Sequence, residues 1–397
     1  MRADIETDIL IVGAGLAGLI AAATLKGAGH DVVVASASAP PRDPQSEGAD
    51  RRSTAFLLPS RSVLRRAGIE VDGGTATPLA ALRIVETGGR PRHVISERTF
   101  HPDDLGSEVF GWNIPNARLG AELLDRLEAL SVPLRIGAGL KDLHAREDRA
   151  LAVLADGTRI SARLIVGADG RDSAVRRAAG IGTSETRYGQ KALAFPVRHT
   201  HPHANVSAEI YEQGGAFTTV PLPDADGQPA SAIVWMADGP EAMRLAALSE
   251  AELAAEATER SCGLLGPMTP LARPGLFPVV TRIAERLASR RVALVAEAAH
   301  VLPPIGAQGL NTSIADIAAL ETAARTDPGA PEGLAAYAAA RERDIALRAG
   351  AIDAFNRVAR SGSLLAHTIR PAGLAALHDL PPVRRALMRA GLGSAAD

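Results

Sequence analysis

Three segments that lie far apart in the chain predict an α/β protein. Each places a short apolar strand before a glycine-containing turn, and a helix follows the turn; they are residues 8–27, 162–177 and 291–316. Strands that alternate with helices in this way are typical of a parallel sheet covered by helices.

The first segment has the spacing of a dinucleotide-binding loop. An apolar strand at 8–12 leads into Gly13, Gly15 and Gly18, a helix runs to about residue 27, and a second strand follows at 32–35. In this pattern the first glycine makes the tight turn, the second admits a pyrophosphate, and the third lets helix and strand pack closely. The segment therefore predicts a nucleotide site.

The same apolar run, residues 9–25, could instead be a membrane span or the core of a signal peptide. Acidic residues precede it, glycines interrupt it, and it is shorter than the ~20 residues of a span. We expect a soluble protein without a cleaved leader.

The composition of the chain narrows its class. Its length of 397 residues predicts more than one lobe, and its single cysteine, Cys262, predicts a cytoplasmic protein. Its net charge of -2 predicts no nucleic-acid partner.

In the middle segment a strand at 164–166 precedes Asp169 and Gly170, and Ser173 can cap the helix that follows. By itself an Asp-Gly pair after a strand is usually only a turn. In the third segment a buried strand at 292–295 precedes Gly306 and Gly309. A helix from about Leu310 would point its free amides at a ligand that is anionic or rich in electrons.

Together the three segments resemble the FAD motifs of single-component aromatic monooxygenases similar to para-hydroxybenzoate hydroxylase. The third is most similar to the ubiquinone-biosynthesis hydroxylases, the UbiH/Coq6 group. Further similar segments are 52–56, 62–68, 111–119, 214–222, 337–344 and 380–384. The resemblance spans essentially the whole chain.

The resemblance implies an FAD-binding Rossmann-like domain, an interleaved β-sheet substrate domain and a C-terminal helical tail. The FAD domain would comprise residues 1–73, 109–182 and 277–324, the substrate domain 74–108 and 183–276, and the tail 325–397. It implies FAD as cofactor, reduced by NAD(P)H or an external electron donor, and no metal. The implied FAD-binding residues are Gly13, Ala14, Gly15, Leu16, Ala17, Gly18, Ser36, Arg52, Asn116, Asp169, Gly170, Glu297, Pro304, Gly306, Gln308, Gly309, Leu310 and Asn311.

The implied activity is hydroxylation of the aromatic ring of a polyprenylated phenol in ubiquinone biosynthesis, with molecular oxygen, through a flavin hydroperoxide. Partner proteins of the biosynthetic complex and peripheral contact with the inner face of the cytoplasmic membrane are further expectations. Alternatives are a hydroxylase of another aromatic substrate and a non-catalytic or weakly flavin-binding assembly subunit. A halogenase is disfavoured because Trp112 and Trp235 lie far apart. No residue is predicted to be catalytic.

Two departures from the family pattern predict loose FAD binding. Ser36 stands where the family has an acidic residue for the adenosine ribose, a loss of ~1–2 kcal/mol. Ala296 and Glu297 replace a Gly-Asp pair, which shifts the carboxylate by one methylene. We therefore expect a holoenzyme that loses cofactor during purification.

Several histidines could suggest a metal site, but the pattern around them does not favour one. His199, His201 and His203 alternate along an extended run, but no carboxylate or cysteine accompanies them, so a surface strand is predicted. His300 is predicted to orient its neighbours rather than to act as an acid or base.

The remaining segments complete the predicted architecture. Residues 79–97 and 191–236 alternate apolar and polar side chains, as antiparallel strands do, with a hairpin loop at 223–227. Residues 238–263 are predicted to form one helix. The tail is predicted to be helical with breaks at Gly362, Pro371 and Pro381-Pro382, and its arginines and leucines suit either packing on the core or an anionic membrane.

Overall fold

The computed structural model describes residues 3–71, 76–89, 92–212, 215–360 and 378–392, and it confirms the α/β class. In chain order its strands are β1 (Ile5–Val12), β2 (Val32–Ser36), β3 (Ser53–Leu57), β4 (Thr77–Pro78), β5 (Ala81–Gly88), β6 (His93–Phe100), β7 (Gly111–Pro115), β8 (Leu134–Ile136), β9 (Leu140–Ala145), β10 (Ala150–Leu154), β11 (Arg159–Gly167), β12 (Thr183–His199), β13 (Val206–Glu212), β14 (Gly215–Ala225), β15 (Gln228–Asp238), β16 (Met268–Pro270), β17 (Gly275–Ala284), β18 (Ala288–Ser289), β19 (Val292–Leu294) and β20 (His300–Val301). Its helices are α1 (Leu16–Gly27), α2 (Leu58–Arg66), α3 (Asn116–Ala129), α4 (Ala174–Ala178), α5 (Gly239–Ala246), α6 (Glu250–Arg260), α7 (Gln308–Ala324), α8 (Pro331–Arg360) and α9 (Pro381–Leu392).

The first sheet contains the three strands that the glycine-containing segments predict. Its parallel strands lie in the order β19, β11, β1, β2, β8, with β10 and β9 continuing antiparallel from β11. The carboxyl half of the central strand β1 is apolar and residues 9–12 are all buried, as is typical where both faces of a parallel sheet are covered. The glycine loop after β1 therefore lies at the carboxyl edge of the sheet, where ligands bind in folds of this kind.

Helix α1 is buried almost all round. Every residue from Ala17 to Leu25 is buried, because the helix lies on the parallel sheet and packs against α3 and α7. A helix that is apolar on all sides is stable only in such a place. The alanines at 21–23 allow this close packing, and the helix N-terminus is thereby fixed beside the glycine loop.

The second sheet is largely antiparallel, in the order β20, β17, β12, β15, β14, β13, β5, β6. One face packs on α5 and α6 through a cluster that includes Leu193, Phe195, Phe217 and Trp235. The other face covers the cavity described below. Strand alternation therefore separates a packed face from a ligand-side face. The domain boundaries drawn from the resemblance remain a prediction.

The prediction of a single helix at 238–263 is wrong. Ser249 starts a new helix, because its side chain accepts the Glu252 N–H while the Glu252 carboxylate accepts the Ser249 N–H. This reciprocal capping box marks a helix start rather than a position inside a helix. Two helices, α5 and α6, result.

Helix α8 packs against α7, and α9 begins at Pro381, where a break is predicted. The predicted breaks at Gly362 and Pro371, together with Arg370, lie outside the described residues. Within the ranges given above, no helix combines the length and the apolar character that a membrane span requires.

Candidate functional site

A cavity of about 1280 Å³ lies between the carboxyl edge of the parallel sheet and the free face of the second sheet. It brings together sixteen of the residues predicted to bind FAD, from six separate parts of the chain. They are Gly13, Ala14, Gly15, Leu16, Ala17, Ser36, Arg52, Asn116, Asp169, Gly170, Glu297, Pro304, Gly306, Gln308, Gly309 and Leu310. Two predicted residues, Gly18 and Asn311, do not line it.

The glycine loop explains why Gly18 is not part of the lining. A Cβ on Gly18 would come within 2.1 Å of the Gly13 carbonyl oxygen, and one on Gly13 would come within 2.2 Å of the Ala168 carbonyl oxygen. Gly13 also takes a φ of 115°, which other residues rarely adopt. A Cβ on Gly15 would meet no atom within 4 Å. Gly13 and Gly18 are thus required by packing, whereas Gly15 keeps open the space in front of α1.

Asn311 is occupied by contacts within the protein. Its Oδ1 accepts the Leu57 N–H at 2.9 Å and the Ser60 hydroxyl at 2.7 Å, and its Nδ2 donates to the Ala55 and Ala307 carbonyl oxygens. A buried amide with all these bonds ties the start of α7 to the turn between β3 and α2. The Asn311 side chain is therefore not free to make the predicted contact with FAD.

The α7 end of the cavity, residues 304–311, is held in place by side chains from the C-terminal helices. Ala307 caps α7 in the left-handed conformation with φ 57°, and Gly306 before it has φ 61°. Gln308 donates to the Gly391 carbonyl oxygen at 2.9 Å, and Arg348 donates to Gln308. The first amides of α7 have no partner inside the helix, so this turn presents donors to the cavity.

Behind this turn lies a buried charge network. The Asp316 carboxylate is fully buried; its Oδ1 accepts from Arg341 Nε at 2.8 Å, and its Oδ2 lies 2.7 Å from His300 Nε2. Burial alone would raise the pKa of Asp316, but His300 and Arg341 outweigh it and hold this pKa below its ordinary value. His300 is therefore placed as an orienting residue and does not line the cavity.

The same carboxylate supports the turn that contains Ala296. Asp316 Oδ2 accepts the Ala296 N–H at 3.0 Å, and Ala296 takes a φ of 57°. This left-handed conformation suits glycine and costs about 1 kcal/mol or more for alanine. The turn directs Glu297, which is exposed, to the cavity wall. The departure from Gly-Asp thus leaves the turn in place but strained.

At the β2 end of the cavity, residues 36–41, side-chain hydrogen bonds are few. The Ser36 hydroxyl donates to the Ser38 carbonyl oxygen at 2.6 Å, so its proton is already used. The loop that follows carries several exposed residues, including Ser38, Arg42 and Asp43. Ser36 lines the cavity but can offer a ligand only the acceptor side of its oxygen.

Asp50 joins two predicted residues and was missed by the sequence analysis. Its carboxylate pairs with Arg52, with Nη2 at 2.7 Å, and accepts from Asn116 Nδ2 at 2.9 Å. Burial opposes ionisation of Asp50, yet Arg52 lowers its pKa overall. Arg52 also lies over the Phe277 ring, 4.7 Å from its centre. The pattern around residue 50 does not indicate this role, since the contact with Asn116 depends on the placement of α3.

Asp169 is committed to helix capping. Its carboxylate accepts the N–H groups of Ala174 at 2.7 Å and Val175 at 3.0 Å, together with the Ser173 hydroxyl. Ser173 itself accepts the Arg176 N–H, as its predicted capping role requires. Asp169 and Gly170 line the cavity. Because the Asp169 carboxylate is already used for capping, a ligand would meet mainly backbone here.

The face of the second sheet that covers the cavity is largely apolar and carries one ionisable position, which sequence analysis also missed. It carries Leu82 and Ile84, Ala192 and Ala194, Ser207 and Glu209, Thr218 and Val220, and Ala232 and Val234. Glu209 is the only ionisable residue among these, and Tyr211 on the same strand donates a hydrogen bond to it. The sequence does contain a signal for Glu209, because it is an acidic residue at an inward position of an alternating strand.

The histidines at 199–203 do not lie on a surface strand as predicted. His199 is buried, with Nε2 at 2.9 Å from Ser231 Oγ and Nδ1 at 2.9 Å from the His201 carbonyl oxygen, and burial lowers its pKa. Its ring has a structural role, because β15 covers it and both ring nitrogens have partners within the protein. Across the described ranges, no cluster of three or more potential metal-binding side chains occurs.

These features suit a long anionic dinucleotide such as FAD. The N-termini of two helices, α1 and α7, open on one cavity, and an unobstructed glycine lies at the first of them. Helix N-termini favour phosphate and reduced, negatively charged rings. The residues present therefore fit the cofactor that the sequence resemblance implies.

Comparisons with known proteins agree with this interpretation. The FAD binding domain family matches residues 6–347. The ubiquinone hydroxylase UbiL of Rhodospirillum rubrum is 32% identical, with 99% of this chain and 91% of that protein covered. The 3-demethoxyubiquinol 3-hydroxylase of Escherichia coli is 32% identical over 79% of this chain and 78% of its own length. In fold, p-nitrophenol 4-monooxygenase of Pseudomonas putida has a TM-score of 0.79 at 18% identity, covering 98% and 99% of the two chains.

Proposed function

We propose that this chain, which belongs to the FAD binding domain family of flavin-dependent monooxygenases, hydroxylates the aromatic ring of a polyprenylated phenol in ubiquinone biosynthesis. One observation carries the proposal: a single cavity joins a dinucleotide-type glycine loop to an apolar sheet face. The similarity to a ubiquinone hydroxylase over nearly the whole chain supports the substrate class.

The cofactor would be held along the floor of the cavity, with its adenosine half at the β2 end and its ring at the α7 end. The amides at the start of α1 would bind the pyrophosphate, and those of α7 would stabilise negative charge on the reduced ring. The residues proposed to contact it are those that line the cavity: Gly13 to Ala17, Ser36, Arg52, Asn116, Asp169, Gly170, Glu297, Pro304 and Gly306 to Leu310.

The chemistry that bound FAD supplies is two-electron reduction by NAD(P)H or an external carrier, followed by activation of molecular oxygen. The protein contributes position and exclusion of water. Apolar side chains of the second sheet, such as Leu82 and Val234, line the same cavity as the start of α7. They would keep water from the reacting atoms while the aromatic ring is held nearby.

The substrate's prenyl chain suggests contact with a membrane surface at the inner face of the cytoplasmic membrane. Helix α9 lies at the cavity, because Met388 and Gly391 line it. Close by, Leu380 is 55% exposed and Val383 is 38% exposed. We expect anionic vesicles to retain the wild-type chain in sedimentation and a Leu380→Ser, Val383→Ser variant to stay in the supernatant. Equal retention of the wild type and the variant would contradict membrane contact. Co-purification is a separate experiment that would test for partner proteins of a biosynthetic complex.

The central experiment is deletion of the gene followed by identification of the quinone precursor that accumulates. We expect a prenylphenol that lacks one ring hydroxyl, and purified protein supplied with FAD should convert that compound with oxygen. Accumulation of no such precursor, with no oxygen-dependent hydroxylation in vitro, would refute the proposal. An unchanged FAD absorbance spectrum on mixing would instead favour a non-catalytic assembly subunit.

A further inference from the structure

Glu209 is an ionisable group for which the FAD site provides no use. It lies on β13, and its carboxylate faces the cavity from the apolar side of the second sheet. Directly beside it, β5 presents Ile84 and β14 presents Thr218. A carboxylate placed among apolar side chains is costly unless it has partners, so its surroundings call for an explanation.

The partners of Glu209 are neutral hydrogen-bond donors. The Tyr211 hydroxyl donates to Oε2, and the Gly306 backbone N–H interacts with the same carboxylate. No lysine, arginine or histidine among the described residues contributes to its ionisation. Burial raises the pKa of Glu209, and these two donors offset part of that rise. The carboxylate thus has spare acceptor capacity and a raised proton affinity.

Gly306 links this carboxylate to the α7 end of the cavity. The same turn contains Pro304, Gln308 and Leu310, which are proposed to hold the flavin ring. A group bonded to Glu209 therefore lies next to the place where the proposed reaction occurs. A phenol fits this place, because its ring can contact the apolar side chains of the wall while its hydroxyl meets the carboxylate of Glu209.

We propose that Glu209 accepts the hydroxyl hydrogen of the phenolic substrate and acts as the general base of the hydroxylation. This inference rests on the proposed function. The proton passes from the phenol oxygen to a carboxylate oxygen of Glu209, so one O–H bond breaks, another forms, and no electron is transferred between them. The ring becomes richer in electrons and the carboxylate becomes a neutral acid. Tyr211 positions the carboxylate and favours its ionised form.

The test compares the full-length, FAD-supplied wild type with Glu209→Gln, which keeps size and acceptor but cannot take a proton. A short-chain prenylphenol serves as substrate, and hydroxylated product is measured. We expect kcat to fall by about 100-fold, as for loss of a general base, and the acidic limb of the kcat/KM profile to disappear. The matched control is Glu97→Gln on β6, an exposed carboxylate of the same sheet, which should behave as wild type.

A binding experiment decides the point independently of turnover. Flavin fluorescence reports the affinity for the prenylphenol and for its methyl ether, which has no hydroxyl hydrogen. We expect the wild type to prefer the phenol by at least about tenfold, as a charge-assisted hydrogen bond gives. Glu209→Leu should abolish this preference.

The outcomes separate this inference from the proposed function. A wild type that hydroxylates no prenylphenol refutes the proposed function, while the preference for phenol over ether still tests Glu209. An unchanged kcat and pH profile in Glu209→Gln overturns the inference. Loss of FAD from that variant with an unaltered phenol preference also overturns it, because Glu209 would then only support the Gly306 turn.

Discussion

The two ends of the cavity are stabilised in different ways. At the α7 end, Asn311, Gln308 and Asp316 join the turn to α2, α8, α9 and β20 through buried hydrogen bonds and ion pairs. At the β2 end, the Ser36 side chain bonds only its own loop, and exposed residues follow it. The proposed ring-binding end is therefore preorganised by the protein, whereas the proposed adenosine end depends mainly on the backbone.

This difference indicates which part of the site has to be rigid. The reacting part of a cofactor has to be held to within a fraction of an ångström, while the distant part contributes mostly affinity. Ala296 fits the same view, because the α7 end keeps a strained left-handed residue in place by bonding it to Asp316. We expect weak contact at Ser36 to lower the affinity for FAD and to leave the proposed ring-binding end unaffected.

The largest effect should come from Asp316. The substitution Asp316→Asn removes the buried carboxylate that pairs with Arg341 and His300. Leaving the buried charge of Arg341 without its partner costs about 3–5 kcal/mol of folding stability. Denaturant unfolding of the FAD-free protein should show this loss. Glu342→Gln on α8 is the matched control, because that carboxylate is exposed and should change stability by less than about 0.5 kcal/mol. A small change in Asp316→Asn would show that the α7 end is not held by this network.

The pH dependence of stability follows from the same residue. The folded pKa of Asp316 is depressed, so its contribution is fully present above the unfolded value of about 3.9 and is lost as pH falls below it. Wild-type stability should therefore decline more steeply below about pH 4 than that of Asp316→Asn. Parallel curves would contradict the assignment.

The next effect separates packing from binding within the glycine loop. Gly15→Ala should leave the FAD-free protein as stable as wild type, since its Cβ meets no atom within 4 Å. It should weaken FAD binding by about thirtyfold, or ~2 kcal/mol, because the methyl group displaces the pyrophosphate from one amide. Titration with FAD and unfolding curves measure the two quantities. Gly13→Ala is the contrast, because it should destabilise the fold itself.

Local patterns were enough to predict the parts of the site that are local. The loop at 13–18 and the turn before α7 follow directly from glycine spacing, because a strand, a turn and a helix N-terminus are continuous in sequence. The start of α6 is local in the same way, because Ser249 and Glu252 have the spacing of a capping box, and such boxes start helices.

The rest of the site depends on contacts that no local pattern contains. Asn311 meets Leu57 across 254 residues, and Asp316 meets Arg341 across a helix-to-helix interface. Glu209 becomes notable only once β5, β13 and β14 are paired and the Gly306 turn lies opposite them. Long-range packing decides whether a polar residue is exposed, satisfied or directed at a ligand, as the buried His199 also demonstrates.

The smallest predicted effect tests the β2 end directly. Ser36→Glu restores the acidic residue that the family pattern has, and we expect FAD to bind about fivefold more tightly, or ~1 kcal/mol, through hydrogen bonds from the ribose hydroxyls. Ser36→Ala is the control and should bind FAD as wild type does, because the Ser36 proton is already donated to Ser38. Since hydroxylation occurs at the other end, kcat with saturating FAD should be equal in all three proteins. A kcat that rises with affinity would show that the two ends are coupled, and a loss of affinity in Ser36→Ala would show that serine already serves the ribose.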